Sequence, residues 1–251
     1  MNQANFVTAP VVIGGVGGSG TRVVAEMLKQ LGYFIGPVNQ SNDNLLFAKT
    51  FGHPQWFLNQ DKQGICHQLN GFHREMLRLS AQKQGSHTGW GWKNPVTHIY
   101  LEHLAATFEN MKYILVIRNG LEMAFSSNQN QVVKWGRLFN IITGGKPSPR
   151  QSLHYWYRAN ERAISLGKSL LGRNFYVLNF NQLCKEPKAE IVKLLEFLQL
   201  NPAKIDVHHL ATLIRRPSTE GRYKEYLSLF TNEDLQLTRK LGFNSDCNKK
   251  L

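Results

Sequence analysis

The sequence predicts an α/β fold, a central parallel β-sheet flanked by helices, within one domain spanning residues 1–251. Residues 10–13 form an apolar run that stops in glycines, and residues 23–28 resume with helix-like spacing, so this stretch reads as strand, loop, helix. Residues 111–117 form the clearest strand in the chain and end at Arg118-Asn119-Gly120, after which a helix is expected. Strands separated by helices imply a parallel sheet covered on both faces. At 251 residues the chain can bury a sizeable core, and no linker divides it.

The remaining elements follow in order. Residues 33–36 read as a short second strand, and the polar "NQSNDN" at 39–44 belongs to a loop. Residues 45–85 mix aromatics, histidines and amides in a helical region. "GWGW" at 89–92 then reads as a short strand stopped at Lys93-Asn94-Pro95. Glycines and prolines make 143–150 the most flexible-looking internal segment. A helix through Trp156 and Asn160 leads to a last strand at 175–180. No internal repeat or low-complexity block is present.

Lysine and arginine number 30 against 17 acidic residues, a formal net charge of +13. This excess points to an anionic partner: a phosphorylated cofactor, a sulfated sugar, a nucleic acid or a membrane surface. Charge alone does not choose among them, and the sequence carries no recognised nucleic-acid module. Cys66, Cys184 and Cys247 are odd in number and lack CxxC spacing, so neither a disulfide framework nor a zinc site is expected. The first ten residues have no basic region followed by a long apolar stretch, and no later segment approaches the roughly 18 apolar residues a membrane span needs. A cytoplasmic location without a membrane span is the expectation.

A strand, a glycine-rich turn and a helix N-terminus make a phosphate cradle, because backbone N–H groups converge there and the helix dipole favours negative charge. Gly17, Gly18 and Gly20 permit that close approach. Gly15 and Gly20 have the spacing of a Walker A motif, yet the next residues are Thr21 and Arg22, where an ATPase or GTPase carries Lys and then Ser or Thr. The strand at 111–117 ends in Arg118 rather than in an acidic Mg²⁺ ligand. The expectation is a site that holds phosphate with cations and backbone and requires no metal.

These residues resemble the sulfotransferase superfamily, whose members use 3'-phosphoadenosine 5'-phosphosulfate (PAPS) on a P-loop-like fold, and the resemblance spans most of the chain. Gly17-Gly18-Ser19-Gly20-Thr21-Arg22 resembles the family's 5'-phosphosulfate loop, and Arg118 with Ser126 eight residues later matches its 3'-phosphate motif. "FNQLCKEPKAEIVKLLEFLQL" at 180–200 is similar to the family's strand end, Pro-containing turn and long helix. It places Phe180 where some members have a tyrosine near the adenine; phenylalanine stacks but cannot hydrogen-bond. The stretch at 216–224 resembles the basic segment that closes over the nucleotide, with Arg216, Gly221 and Lys224 in its pattern.

The resemblance implies sulfuryl transfer from PAPS to a hydroxyl or amino group, leaving PAP. That chemistry needs a general base and a cationic clamp. Many members clamp with a lysine in the glycine loop, and here that position is Gly18, so Arg22 and Lys93, the latter in "GWKNP", are the candidate cations. "NDNLLF" at 42–47 resembles the carboxylate-base, carbohydrate-directed members and makes Asp43 the candidate base, with His53 and His98 as fallbacks. Asp43 and its flanking asparagines also fit a plain turn or helix cap. The implied partner is a small-molecule or carbohydrate acceptor; its identity and the oligomeric state stay open. The alternative function is a PAP/PAPS-binding regulatory module without turnover, consistent with the missing loop lysine.

Overall fold

A computed structural model describes residues 9–83 and 87–243. Cys247 and the first eight residues lie outside that range; Cys66 and Cys184 are free thiols. In chain order the elements are β1 (Val11–Gly14), α1 (Thr21–Gln30), β2 (Tyr33–Phe34), α2 (Leu45–Phe51), α3 (Pro54–Leu58), α4 (Lys62–Gln82) and β3 (Gly89–Lys93). A 3-10 turn (Pro95–Tyr100) leads into α5 (Leu101–Thr107), β4 (Lys112–Ile117), α6 (Gly120–Ala124) and α7 (Asn130–Trp135). After them come α8 (Pro149–Leu171), β5 (Phe175–Asn179), α9 (Phe180–Lys185), α10 (Pro187–Leu198) and α11 (Val207–Thr212). The C-terminal part is a 3-10 segment (Arg222–Leu229) and α12 (Asn232–Lys240).

The strands form one parallel sheet in the order β2-β3-β1-β4-β5. Alternation along β1 and β4 explains why residues 11–13 and 113–117 are hydrophobic throughout. Val12, Tyr113 and Leu115 pack on one face with α4, α5 and α8, and Val11, Ile13, Ile114 and Val116 pack on the other with α1 and α10. Each such side chain, once fully buried, contributes about 1.5–3 kcal/mol relative to exposure. In β3 the same period of two puts Trp90 and Trp92 on one face, their rings 5.8 Å apart. Among the described residues no helix is long and apolar enough to cross a membrane.

Several boundaries differ from the sequence reading, each for a local reason. Strand β2 stops at Phe34, and Gly36 turns the chain with φ +76°. The helical region at 45–85 divides into three helices, with Asn44 and Asp61 capping the first and third, interrupted at Gly52-His53 and again at 59–61. The helix after Arg118 ends at Ala124, so Ser126 lies in the following loop; Gln129 Nε2 donates to the carbonyls of Met123 (3.0 Å) and Ser126 (2.9 Å), satisfying acceptors a longer helix would have used. Ser148 forms a capping box with Gln151, which draws Pro149 and Arg150 from the expected loop into α8. Phe180 opens α9 rather than ending β5.

Because β1 is central, the chain leaves it first toward β2 and β3 and later toward β4 and β5. The crevice at the C-terminal ends of the strands opens at such a switch point. A separate cavity of about 460 Å³ opens at the other end of the sheet, among Tyr33, Thr88, Lys112 and Leu200. The chemically equipped end is the one where helix amides and cations converge.

Candidate functional site

The glycine loop follows β1 directly. Gly18 and Gly20 have φ of +93° and +100°, left-handed conformations that suit glycine. A Cβ on Gly20 would fall 2.2 Å from the Phe180 ring, so glycine there lets the aromatic close against the loop. The N–H of Gly15 bonds the Pro95 carbonyl (3.2 Å), that of Ser19 the Val16 carbonyl (3.0 Å), and that of Gly17 the side chain of Gln131 (3.1 Å). Among the described residues none accepts from the N–H of Gly20, Thr21 or Arg22 at the start of α1. Those three groups stand at the positive end of a ten-residue helix. Ser19 Oγ is buried and has no hydrogen-bond partner among the described residues.

Opposite the loop, β3 delivers Lys93, only 3% exposed, and the loop after β2 delivers Asp43. Lys93 Nζ lies 2.6 Å from Asp43 Oδ1 and donates to the Ser41 carbonyl at 2.9 Å. Burial pushes the Lys93 ammonium below the usual lysine range; the Asp43 carboxylate opposes this, and Arg22 adds to the lowering. The neighbour of Asp43 is thus a cation, not a second carboxylate. Asn44, not Asp43, caps α2 by accepting from the Phe47 N–H at 2.9 Å, so the carboxylate is spared that role. Arg22 Nη2 donates to Ser41 Oγ at 2.9 Å. The glycine loop, Arg22, Ser41, Asp43, Lys93 and Asn128 line one cavity of about 260 Å³.

The polar loop has its own scaffold. Asn39 Oδ1 accepts from the N–H groups of Ser41 (2.8 Å) and Asp43 (3.0 Å), and Asn42 Nδ2 donates to the Arg22 carbonyl (3.3 Å) and Glu26 Oε2 (3.1 Å). These side-chain turns fasten the loop to α1, where Arg22 resides.

On the far side of the glycine loop, β4 is followed by Arg118, which is 5% exposed. Its Nε donates to Glu122 Oε2 (2.8 Å), its Nη2 to Thr219 Oγ1 (2.7 Å) and its Nη1 to the Gly18 carbonyl (3.5 Å). Ser126 Oγ accepts from the Asn128 N–H at 3.3 Å and stands beside Gly18, 3.2 Å from where a Cβ would be. Arg118 and Ser126 therefore both lie beside Gly18. Phe180 borders a second cavity, about 680 Å³, which shares Gly20 and Arg22 with the first and is also lined by Asn42, Leu213 and Arg215.

Arg216 and Gly221 line neither of these cavities. Arg216 is exposed and lies 4.0 Å from Glu220, and Gly221 caps the 3-10 segment that contains the exposed Lys224. The C-terminal segment reaches the site through Thr219 and Arg215 instead. His53 is exposed at the start of α3, and His98 is buried, with desolvation holding it down to about 4; neither lines the Asp43 cavity. Sequence reading missed Asn39, Ser41, Glu122, Gln131 and Thr219. Glu122, four residues after Arg118 at the start of a helix, carried a local signal; Gln131 and Thr219 carried none.

A family model described as "Sulfotransferase family" matches residues 10–203. The chain is similar in structure to a sulfotransferase from Alicyclobacillus acidocaldarius, at 18% identity and a TM-score of 0.55, covering 95% of this chain and 98% of that one. It is also similar to the sulfotransferase domain from the curacin biosynthetic pathway, at 14% identity and a TM-score of 0.53, covering 94% and 99%. A third likeness is to the sulfotransferase domain of the Synechococcus PCC 7002 olefin synthase, at 13% identity and a TM-score of 0.52, covering 94% and 95%. No match is found among curated proteins. At these identities the solved structures speak for the fold, and the family model, spanning most of the chain, for the lineage: the chain belongs to the sulfotransferase family.

Proposed function

We propose that the chain transfers a sulfuryl group from PAPS to a hydroxyl or amino group of a small-molecule or carbohydrate acceptor, leaving PAP. The observation that carries this reading is the Lys93–Asp43 pair, 2.6 Å apart, in one cavity with the glycine loop and Arg22. The residues fit the donor: the N–H groups of Gly20, Thr21 and Arg22 await an anion, and Arg118 and Ser126 converge beside Gly18. Phe180 offers an aromatic face in the adjoining cavity.

When bound, PAPS supplies a sulfuryl group on a phosphate leaving group. The chain's own residues do the rest. Asp43 takes the acceptor proton as the acceptor oxygen or nitrogen bonds to sulfur and the sulfur–phosphate oxygen bond breaks. Protonation of Asp43 releases Lys93 from its ion pair, so the ammonium turns to the charge growing on the leaving phosphate side. Arg22 and the α1 amides hold the same charge without reorganising. Gly18 itself offers no cation, so Lys93 and Arg22 stand in for the usual loop lysine.

The test is mass spectrometry of a metabolite extract incubated with the protein and isotopically labelled PAPS. A labelled product identifies reaction and acceptor together; PAP binding with no labelled product across a broad acceptor panel favours the non-catalytic module. With the acceptor known, Asp43→Asn lowers single-turnover transfer by roughly 10²- to 10⁴-fold while PAP affinity is kept. Near-wild-type transfer by this variant removes Asp43 as the base.

A further inference from the structure

Helix α7 reaches the glycine loop with the side chain of Gln131. Gln131, 8% exposed, accepts at Oε1 from the Gly17 N–H (3.1 Å) and donates from Nε2 to the Gly15 carbonyl (3.4 Å). The same Oε1 accepts from the hydroxyl of Tyr155 on α8 at 3.4 Å, and Tyr155 is fully buried. A carboxamide is suited to this place because it supplies an acceptor and a donor on one planar group. Glycine-rich backbone has more freedom to lose than any other, so a loop with glycine at positions 14, 15, 17, 18 and 20 is costly to hold in one shape.

We infer that Gln131 is a positioning residue for the anion cradle: by gripping the peptide groups of Gly15 and Gly17 it fixes the loop in the shape that aims the Gly20, Thr21 and Arg22 amides at the donor's anionic groups. The inference rests on the reading of this loop as the donor site. It also assigns the Gly17 N–H to Gln131 and leaves the helix-start amides to the ligand. Val133, two residues on, is 53% exposed on another face of α7 and serves as a control.

The experiment measures the affinity of wild type, Gln131→Leu, Gln131→Glu and Val133→Ala for PAP and for inorganic pyrophosphate by calorimetry, with ligand-free melting curves. Gln131→Leu removes donor and acceptor at similar size, and affinity for both probes falls about 10- to 100-fold as two buried hydrogen bonds are lost. In turnover the PAPS KM rises by a similar factor and kcat changes less. Gln131→Glu, which also faces the buried His98 and the Tyr155 hydroxyl, lacks the donor when ionised and regains it when protonated, so its affinity relative to wild type recovers as pH falls from about 8 toward the raised range of a buried glutamate. Val133→Ala binds like wild type.

Wild-type affinity in Gln131→Leu overturns the inference. Weakened binding without pH recovery in Gln131→Glu assigns a packing role and overturns it as well. If wild type binds pyrophosphate but not PAP, the donor reading fails while pyrophosphate still decides the role of Gln131. If wild type binds neither, both fall.

Discussion

Arg118 and Glu122 are 5% and 4% exposed, and apart from the guanidinium the Glu122 carboxylate accepts from Asn181 Nδ2 at 3.1 Å. Removing the cation leaves a buried anion with too few partners. Arg118→Ala is therefore expected to cost about 3–5 kcal/mol of folding stability in addition to PAP affinity. Arg118→Ala with Glu122→Gln removes the stranded charge, so denaturant titration recovers most of the stability while calorimetry still shows weak PAP binding. Ser126→Ala loses less affinity, because a neutral hydroxyl contact is weaker than a charge-assisted one. A double variant that binds PAP like wild type would remove Arg118 from the 3'-phosphate site. Arg22, Lys93 and Arg118 stood out in the sequence as candidates because each lies beside a glycine turn or a strand end, where side chains of an α/β sheet meet ligands, whereas Asp43 stood out only through the resemblance carried by "NDNLLF". Their partners did not: the Arg118–Thr219 and Gly17–Gln131 bonds span 101 and 114 residues, separations that only tertiary packing closes.

At the level of elements, the C-terminal helix is stapled to the body through one carboxylate. Asp234, 1% exposed at the start of α12, receives Arg150 Nε at 2.6 Å and meets His154 Nε2 at 2.6 Å, both on α8, and closes a capping box with Thr231. Burial alone would raise this carboxyl. Hydrogen bonds from Arg150, the Thr231 N–H and His154, with the charge of Arg150, outweigh it and bring the pKa from 3.8 to about 2. A folded-state pKa below the unfolded one adds stability that is full above about pH 4 and is lost as pH falls through about 2. Asp234→Asn is accordingly less stable than wild type in denaturant titrations at neutral pH, and the gap narrows on acidification from about pH 4 to pH 2. A gap independent of pH would assign the loss to packing rather than charge. Elements differed in legibility for related reasons. Strands β1 and β4 are buried on both faces and spell that as continuous apolar runs, whereas the end of α6 depends on Gln129 reaching back to free carbonyls and left no periodic trace.

Across the whole molecule, the proposed donor site joins parts of the chain far apart in sequence. Arg22 lies in the first turn of α1, Lys93 ends β3, Arg118 follows β4, Phe180 follows β5, and Thr219 reaches Arg118 from the C-terminal segment. A ligand bridging these parts binds the native state only, so it raises the free energy of global unfolding by about 2.7 kcal/mol at a concentration one hundred times Kd. For a chain of this size each kcal/mol moves Tm by about 2–4 °C. On the proposed reading, PAP would present a 5'-phosphate to the α1 amides and a 3'-phosphate to Arg118 and Ser126; ATP would present only a 5'-chain, toward a loop whose Thr21 and Arg22 replace the Lys and Ser or Thr that manage ATP phosphates with Mg²⁺. Thermal scans with chelator present should therefore show a large upward shift with PAP and a small one with ATP, in a single cooperative transition. Adding Mg²⁺ should leave the PAP shift unchanged. Equal shifts by the two nucleotides, or a PAP shift that appears only with Mg²⁺, would mean that the cradle recognises a polyphosphate with its metal, and the PAPS reading would give way.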